Sequence, residues 1–253
     1  MKITFLGTGT SQGIPMIANN DPVCLSDNPR DKRLRSSIMI SWNDIRYIVD
    51  CGPAFRQQML RENIQSINGV LFTHEHADHT AGIDDLRPYT YKMGEVPIYA
   101  QERVIENLKV RFSYIFETEN RYAGAPKLTE NIIDVTSFML QGVQVTPIAI
   151  MHGKLPITAY RFGNVAYITD LKTMSDQEKK KLENLEILIV NALRIDAHPT
   201  HLNLEEALAF VNEIKPKRAY FTHISHKLGF HEDVEKILPE NVFLSYDGLQ
   251  ITL

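Results

Sequence analysis

Along this chain, short apolar runs alternate with turn-forming residues, and longer stretches between them carry apolar positions at helical spacing. The runs predict strands over residues 3–6, 37–41, 47–49, 70–72, 98–99, 143–150, 159–162, 166–168, 187–190, 219–221 and 242–244. Trp42-Asn43-Asp44 and Gly163-Asn164 offer tight turns that would close hairpins. Helices are predicted over 54–62, where Gly52-Pro53 marks a start, and over an amphipathic stretch, 102–110. A third covers 175–182, opened by Ser175 with Glu178 three residues on, a capping-box pattern. Apolar residues at 204, 207, 208, 211 and 214 predict the clearest helix, 204–214, and a shorter one follows at 233–238. Strands in two batches with interleaved helices fit an α/β fold of two packed mixed sheets with helices on the outer faces. No repeat, low-complexity tract or flexible linker interrupts the pattern, so residues 1–253 read as one domain.

Composition narrows the picture. The chain has 253 residues, of which 43% are hydrophobic and 23% charged, enough to bury a core without staples. Its net charge of −4 gives no support to nucleic acid as a partner. The basic run Arg30-Asp31-Lys32-Arg33-Leu34-Arg35 is short and reads as a solvated loop. Only two cysteines occur, Cys24 and Cys51, and they form no short-spaced pair. The opening Lys2-Ile3-Thr4-Phe5-Leu6 reads as a strand rather than a leader, so reduced thiols and a cytoplasmic location are expected. No apolar run is long enough to cross a membrane.

The chemistry concentrates in Thr73-His74-Glu75-His76-Ala77-Asp78-His79, directly after Val70-Leu71-Phe72. Imidazole and carboxylate suit zinc, manganese and iron. On an extended segment His74 and His76 share a face, and a helix beginning after His76 would carry Asp78 and His79 to a neighbouring point. Three more ligand-type residues stand just past apolar strands: His152 after 143–150, Asp170 after 165–169 and His223 after 218–222. Strand ends are where loops gather into sites.

These residues resemble the metallo-β-lactamase superfamily. The run from His74 to His79 matches its His-x-His-x-Asp-His signature, and His152, Asp170 and His223 follow in the order of its remaining ligands. Phe5-Leu6-Gly7-Thr8-Gly9-Thr10 resembles the subgroup of tRNA 3′-processing endonucleases and phosphoribosyl cyclic-phosphate phosphodiesterases. The resemblance implies a four-layer αββα sandwich holding two divalent ions, zinc, manganese or iron. His74, His76 and His152 would bind one ion, Asp78, His79 and His223 the other, and Asp170 would bridge them. It also implies that Asp50, in Ile48-Val49-Asp50-Cys51-Gly52, steadies a ligand loop; the alternative role for Asp50 is capping the helix after Pro53.

A metal pair sharing an activated water still needs a proton donor for the leaving group. His201 is the candidate, with Asp78 counted beside it among the catalytic residues and His198 as the rival donor. The pattern His201-Leu202-Asn203-Leu204-Glu205-Glu206-Ala207 resembles the catalytic loop of the phosphodiesterase members, and it opens a helix whose N-terminal edge favours phosphate. Only seventeen residues separate His152 from Asp170, too few for the tRNA-gripping arm of the endonucleases. The expected activity is therefore hydrolysis of a small phosphate ester, linear or cyclic. A tRNA 3′-endonuclease-like nuclease and a thioester or lactone hydrolase are the alternatives. Family habit implies a homodimer. Members of the phosphodiesterase group often carry a further structural zinc on three cysteines and the second histidine of Thr-His-Ile-Ser-His. Here Asn19 and Asp21 replace two of the cysteines, leaving Cys24 and His226. The loop 16–28 is expected to be held by hydrogen bonds instead, with a weaker Asp21–Cys24–His226 site as the alternative. Arg35-Ser36-Ser37 also resembles the subgroup, with Arg35 a candidate for phosphate contact or a surface ion pair; the aromatic stretch 112–122 reads as half-buried packing, with a pocket cover or a subunit contact as the alternatives.

Overall fold

The structure is a computed structural model and describes every residue except Asn120. Its contacts divide into two compact units. The first comprises Met1–Gly7, Ser37–Asp134 and Gly248–Leu253; the second comprises Thr8–Ser36 and Val135–Asp247.

The first unit is built on a seven-stranded mixed sheet. With strands numbered in chain order, it contains β1 (Lys2–Gly7), β2 (Ser37–Trp42), β3 (Ile45–Val49), β4 (Gly69–Leu71), β5 (Val96–Ala100), β6 (Leu128–Ile132) and β14 (Gln250–Thr252). The spatial order is β14-β1-β2-β3-β4-β5-β6. Pairing is antiparallel from β14 to β3 and parallel from β3 to β6. The predicted turn joins β2 to β3, with Asn43 at φ +51°, a conformation asparagine tolerates well. Helices Phe55–Arg61 and Glu102–Arg111 bury Phe55, Met59, Val104, Ile105 and Leu108 in an apolar cluster with Leu6, Ile48, Val70 and Ile98. The first of these helices begins beyond Pro53, with Ala54 as N-cap and no side-chain cap bond. Phe112, Tyr114 and Phe116 pack against the same cluster, the half-buried role expected of them.

The second unit carries its own seven-stranded sheet: β7 (Phe138–Leu140), β8 (Val143–His152), β9 (Leu155–Phe162), β10 (Val165–Ile168), β11 (Ile187–Asn191), β12 (Arg218–Thr222) and β13 (Val242–Leu244). The plan repeats: an antiparallel meander from β7 to β10, then parallel pairing from β10 to β13. Gly163, at φ +54°, turns β9 into β10 as predicted. Helix Leu204–Ile214 covers the predicted range and lends Leu204, Ala207 and Phe210 to a core with Ile148, Ile168, Leu188 and Phe221. Asn203 and Glu206 close it with a full capping box.

Two local expectations are corrected here. The 30–35 run is not a solvated loop: Asp31 and Arg33 are buried. Arg33 donates to Thr8 Oγ1 at 2.9 Å and to the Ser245 carbonyl at 2.6 Å, and lies 3.1 Å from His231 Nδ1. Burial pulls its pKa down to about 10. The last helix spans His231–Glu235 rather than 233–238. Asp31 accepts the His231 N–H at 2.8 Å, a partner distant in sequence that fixes the earlier start.

The loop around Cys24 follows its hydrogen-bonded reading. Asp21 caps a short helix at Val23 N, Asn19 accepts from Asp21 N at 2.7 Å, and Asn19 Nδ2 lies 3.3 Å from His226 Nε2. Cys24 is a buried thiol packed with Ile14 and Val23. Among the described residues, Asp21, Cys24 and His226 do not gather as a metal-ligand group.

Candidate metal centre

Parallel strands present their carboxyl ends together, which is where open α/β sheets place ligands. Three ends here carry a polar residue in the left-handed region: Asp50 after β3 at φ +66°, Asp170 after β10 at φ +59°, and His223 after β12 at φ +55°. None is glycine, so each conformation costs of order 1–3 kcal/mol that its surroundings must offset. The turn swings each side chain out of its strand.

In the first unit the signature behaves as its spacing predicts. His74 and His76 leave β4 extended, with ring centroids 4.5 Å apart. His76 is the N-cap of a one-turn helix, Ala77–Thr80, which brings the His79 ring to 4.3 Å from that of His74. Asp78 Oδ2 lies 3.1 Å from His79 Nε2. Beneath them Asp50 is fully buried. It accepts from Thr73 N at 2.8 Å, from Thr73 Oγ1 at 2.9 Å and from His79 Nδ1 at 2.7 Å. Since Thr73 spends its hydroxyl proton on Asp50, its oxygen accepts from His74 Nδ1 at 2.9 Å. His74 and His79 thus both carry hydrogen on Nδ1 and a lone pair on Nε2, the tautomer a metal ligand needs. Burial pushes the Asp50 carboxyl up, opposed by His79 and Thr73. Asp50 makes the steadying contacts expected of it, and no capping bond joins it to helix Phe55–Arg61.

The same logic runs through the second unit. His152 Nδ1 donates to the Thr200 carbonyl at 2.9 Å. Ser36 spends its proton on the Gly9 carbonyl at 2.9 Å, so its oxygen accepts from His223 Nδ1 at 3.2 Å. His223 Nε2 then faces Asp170 Oδ1 at 3.3 Å. Asp170 is held on its other oxygen by Thr169 Oγ1 at 2.5 Å. Ligand atoms of His152, Asp170 and His201 lie within 4.8 Å of one another. His201 Nε2 lies 3.0 Å from Asp170 Oδ1, while Nδ1 lies 2.9 Å from Thr200 Oγ1 and 3.1 Å from His198 Nδ1. The His198 imidazolium is disfavoured, first by burial and then by His201 and Arg194.

The donor types within each unit suit divalent ions. His74 and His79 in the first unit and Asp170 and His223 in the second are buried. The partners of Nδ1 in His74, His79, His152 and His223 leave Nε2 as the nitrogen able to coordinate.

A family model for the β-lactamase superfamily domain matches residues 45–224. The chain belongs to that superfamily. It is 38% identical, at a TM-score of 0.93, to a solved structure described as a new diphosphatase from the PhnP family, over 99% of this chain and 96% of that one. It is 37% identical to an octanoyltransferase of Porphyromonas gingivalis over 99% of this chain, yet spans only 51% of that relative's length. A ribonuclease Z of Methanococcus maripaludis is 25% identical over 100% of this chain and 68% of its own. The metallo-β-lactamase fold expected from the signature is the fold of this superfamily, and the likeness to the PhnP-family structure agrees with the expected subgroup.

The pattern of candidate ligands does not by itself reveal the residues that orient their side chains. Ser36 and Ser37 are the clearest case. Their neighbour Arg35 donates from Nε to the Ser11 carbonyl at 3.1 Å. Ser36 supports His223, and Ser37 donates to the Asp50 carbonyl at 2.8 Å. Thr73, Thr169 and Thr200 make supporting contacts of the same kind. Each directly precedes a ligand or catalytic candidate, a signal present in the sequence. The opening glycine motif has its reason too: a Cβ on Gly9 would sit 2.8 Å from the Arg33 carbonyl.

Proposed function

We propose that this chain is a metal-dependent hydrolase of a small phosphate ester, linear or cyclic. The observation that carries the reading is the 38% identity to the PhnP-family diphosphatase across nearly the whole of both chains. The β9–β10 hairpin supports it, because a tight turn at Gly163-Asn164 joins the His152 and Asp170 segments with no inserted arm for a large polynucleotide. His74, His76, Asp78, His79, His152, Asp170 and His223 are assigned as ligands of two divalent ions.

Such ions, when bound, lower the pKa of water and neutralise charge on phosphoryl oxygens. The chain's own residues supply the rest. Asp50 and Thr73 fix the rings of His74 and His79, and Ser36 and Thr169 fix His223 and Asp170. His201 directs Nε2 at Asp170 Oδ1, where a proton on that nitrogen is held in place for a departing alkoxide. Thr200 Oγ1 and His198 set the opposite face of the His201 ring.

A second reading, hydrolysis of an acyl ester or thioester, is favoured by the octanoyltransferase relative, a protein about twice as long as the part this chain matches. A screen of diphosphate esters, phosphodiesters, cyclic phosphates, an octanoyl thioester and a lactone, with zinc or manganese added, separates the two. Phosphate-ester turnover is expected. Turnover of the thioester or lactone without any phosphate-ester turnover would overturn the first reading in favour of the second.

A further inference from the structure

The residue between His74 and His76 carries an unexplained pair of arginines. Alternation along the extended segment turns the Glu75 side chain away from the face its two neighbours share. Glu75 instead forms an ion pair with Arg103. Its carbonyl accepts from Arg111 Nη1 at 2.6 Å. The same nitrogen donates to Thr80 Oγ1 at 3.0 Å, and Thr80 Oγ1 lies 2.9 Å from the His76 carbonyl and 3.3 Å from that of Glu75. One guanidinium therefore ties residue 75 to residue 80, the two ends of the turn that contains His76, Asp78 and His79.

Both arginines come from one rigid element. Helix Glu102–Arg111 is anchored by Val104, Ile105 and Leu108, all fully buried. The Arg111 guanidinium also stacks 5.3 Å from the Phe112 ring centroid, and Phe112 packs on the core. The brace thus transmits the position of a helix anchored in the core by one face to the loop that presents the histidines.

We propose that Arg111, assisted by Arg103, is a positioning residue that preorganises the 74–79 turn for ion binding. It touches neither ion nor substrate; it acts by fixing the backbone on which His74 and His76 stand. The inference rests on the metal-dependent reading above. Outer-shell partners of this kind change metal affinity by about 10–100-fold.

The test uses the full chain with Arg111→Ala and Arg111→Lys. Zinc affinity is read by competition with a chromophoric chelator, ligand geometry by the visible spectrum of the cobalt-loaded protein, and folding by the melting of the metal-stripped protein. Arg111→Ala should weaken zinc about 10–100-fold and alter the cobalt bands, with unchanged melting of the stripped protein. Arg111→Lys, whose ammonium has donors for both contacts, should recover part of the loss. Unaltered zinc affinity and cobalt spectrum in Arg111→Ala would overturn the proposal. So would an affinity loss matched by early melting of the stripped protein, since the arginine would then serve the fold alone. Failure of the unsubstituted protein to bind zinc or cobalt would refute the metal reading itself and this inference with it.

Discussion

At the scale of single residues, the candidate ligands are oriented by groups that stand behind them. Asp50 is the most exposed to test. Asp50→Asn keeps the size but removes the charge that accepts from Thr73 and His79, so metal affinity should fall about 10–100-fold, read by chelator competition. Gly153 follows His152 at φ +62°, and a Cβ there would meet Thr200 Cγ2 at 2.8 Å. Thr200 supplies the carbonyl that holds His152 and the hydroxyl beside His201. Gly153→Ala should therefore lower turnover and stability together, the latter by roughly 1 kcal/mol or more from the left-handed backbone alone. His201→Ala should cut turnover by about 10²–10⁴ with metal content intact. Full turnover in that variant, with His198→Ala inactive, would reverse the assignment between the two.

At the scale of elements, the legible parts of the sequence are those with strong local periodicity. All eleven predicted strands are present, and helix 204–214 has the predicted ends. The strands that escaped, β6, β7 and β14, are edge strands of their sheets. An edge strand has one neighbour and stays partly exposed, so its apolar alternation is weak: β6 reads Leu-Thr-Glu-Asn-Ile. Helix 204–214 also carries a local signal in the spacing Asn203-x-x-Glu206, a capping box. Asn203 accepts from Glu206 N at 2.9 Å, Glu206 accepts from Asn203 N at 3.0 Å, and Asn203 Nδ2 also donates to the Ile195 carbonyl. Asn203→Ala should destabilise the protein by about 1 kcal/mol in a urea titration. It should also loosen the loop that carries His198 and His201.

Across the whole molecule, long-range polar contacts were the least legible feature. Nothing in the run 30–35 announces that Arg33 will be buried against Thr8, Ser245 and His231, because those partners are brought together only by the fold. The candidate ligand set is legible because its members follow apolar strands. Its supporting serine and threonine residues are not, because hydroxyls are common everywhere. The Arg33 cluster has a pH signature. Burial, then Arg33 and Arg30, lower the His231 pKa from 6.5 to about 4, against the opposing pull of Asp31. Between those values the unfolded chain takes up a proton that the folded chain refuses. Stability should therefore decline as pH falls from 6.5 toward 4 and level off below that. In urea titrations across that range, His231→Gln should remove this part of the slope; an unchanged slope would show that other groups produce it.

The central claim is that the histidine and aspartate set makes this chain a metal-dependent phosphate-ester hydrolase. Its most direct test is turnover of bis(p-nitrophenyl) phosphate before chelation, after chelation and after zinc or manganese is returned. Turnover should vanish with the metal, return with it, and fail to return in His74→Ala. Turnover that survives complete metal removal would contradict the account.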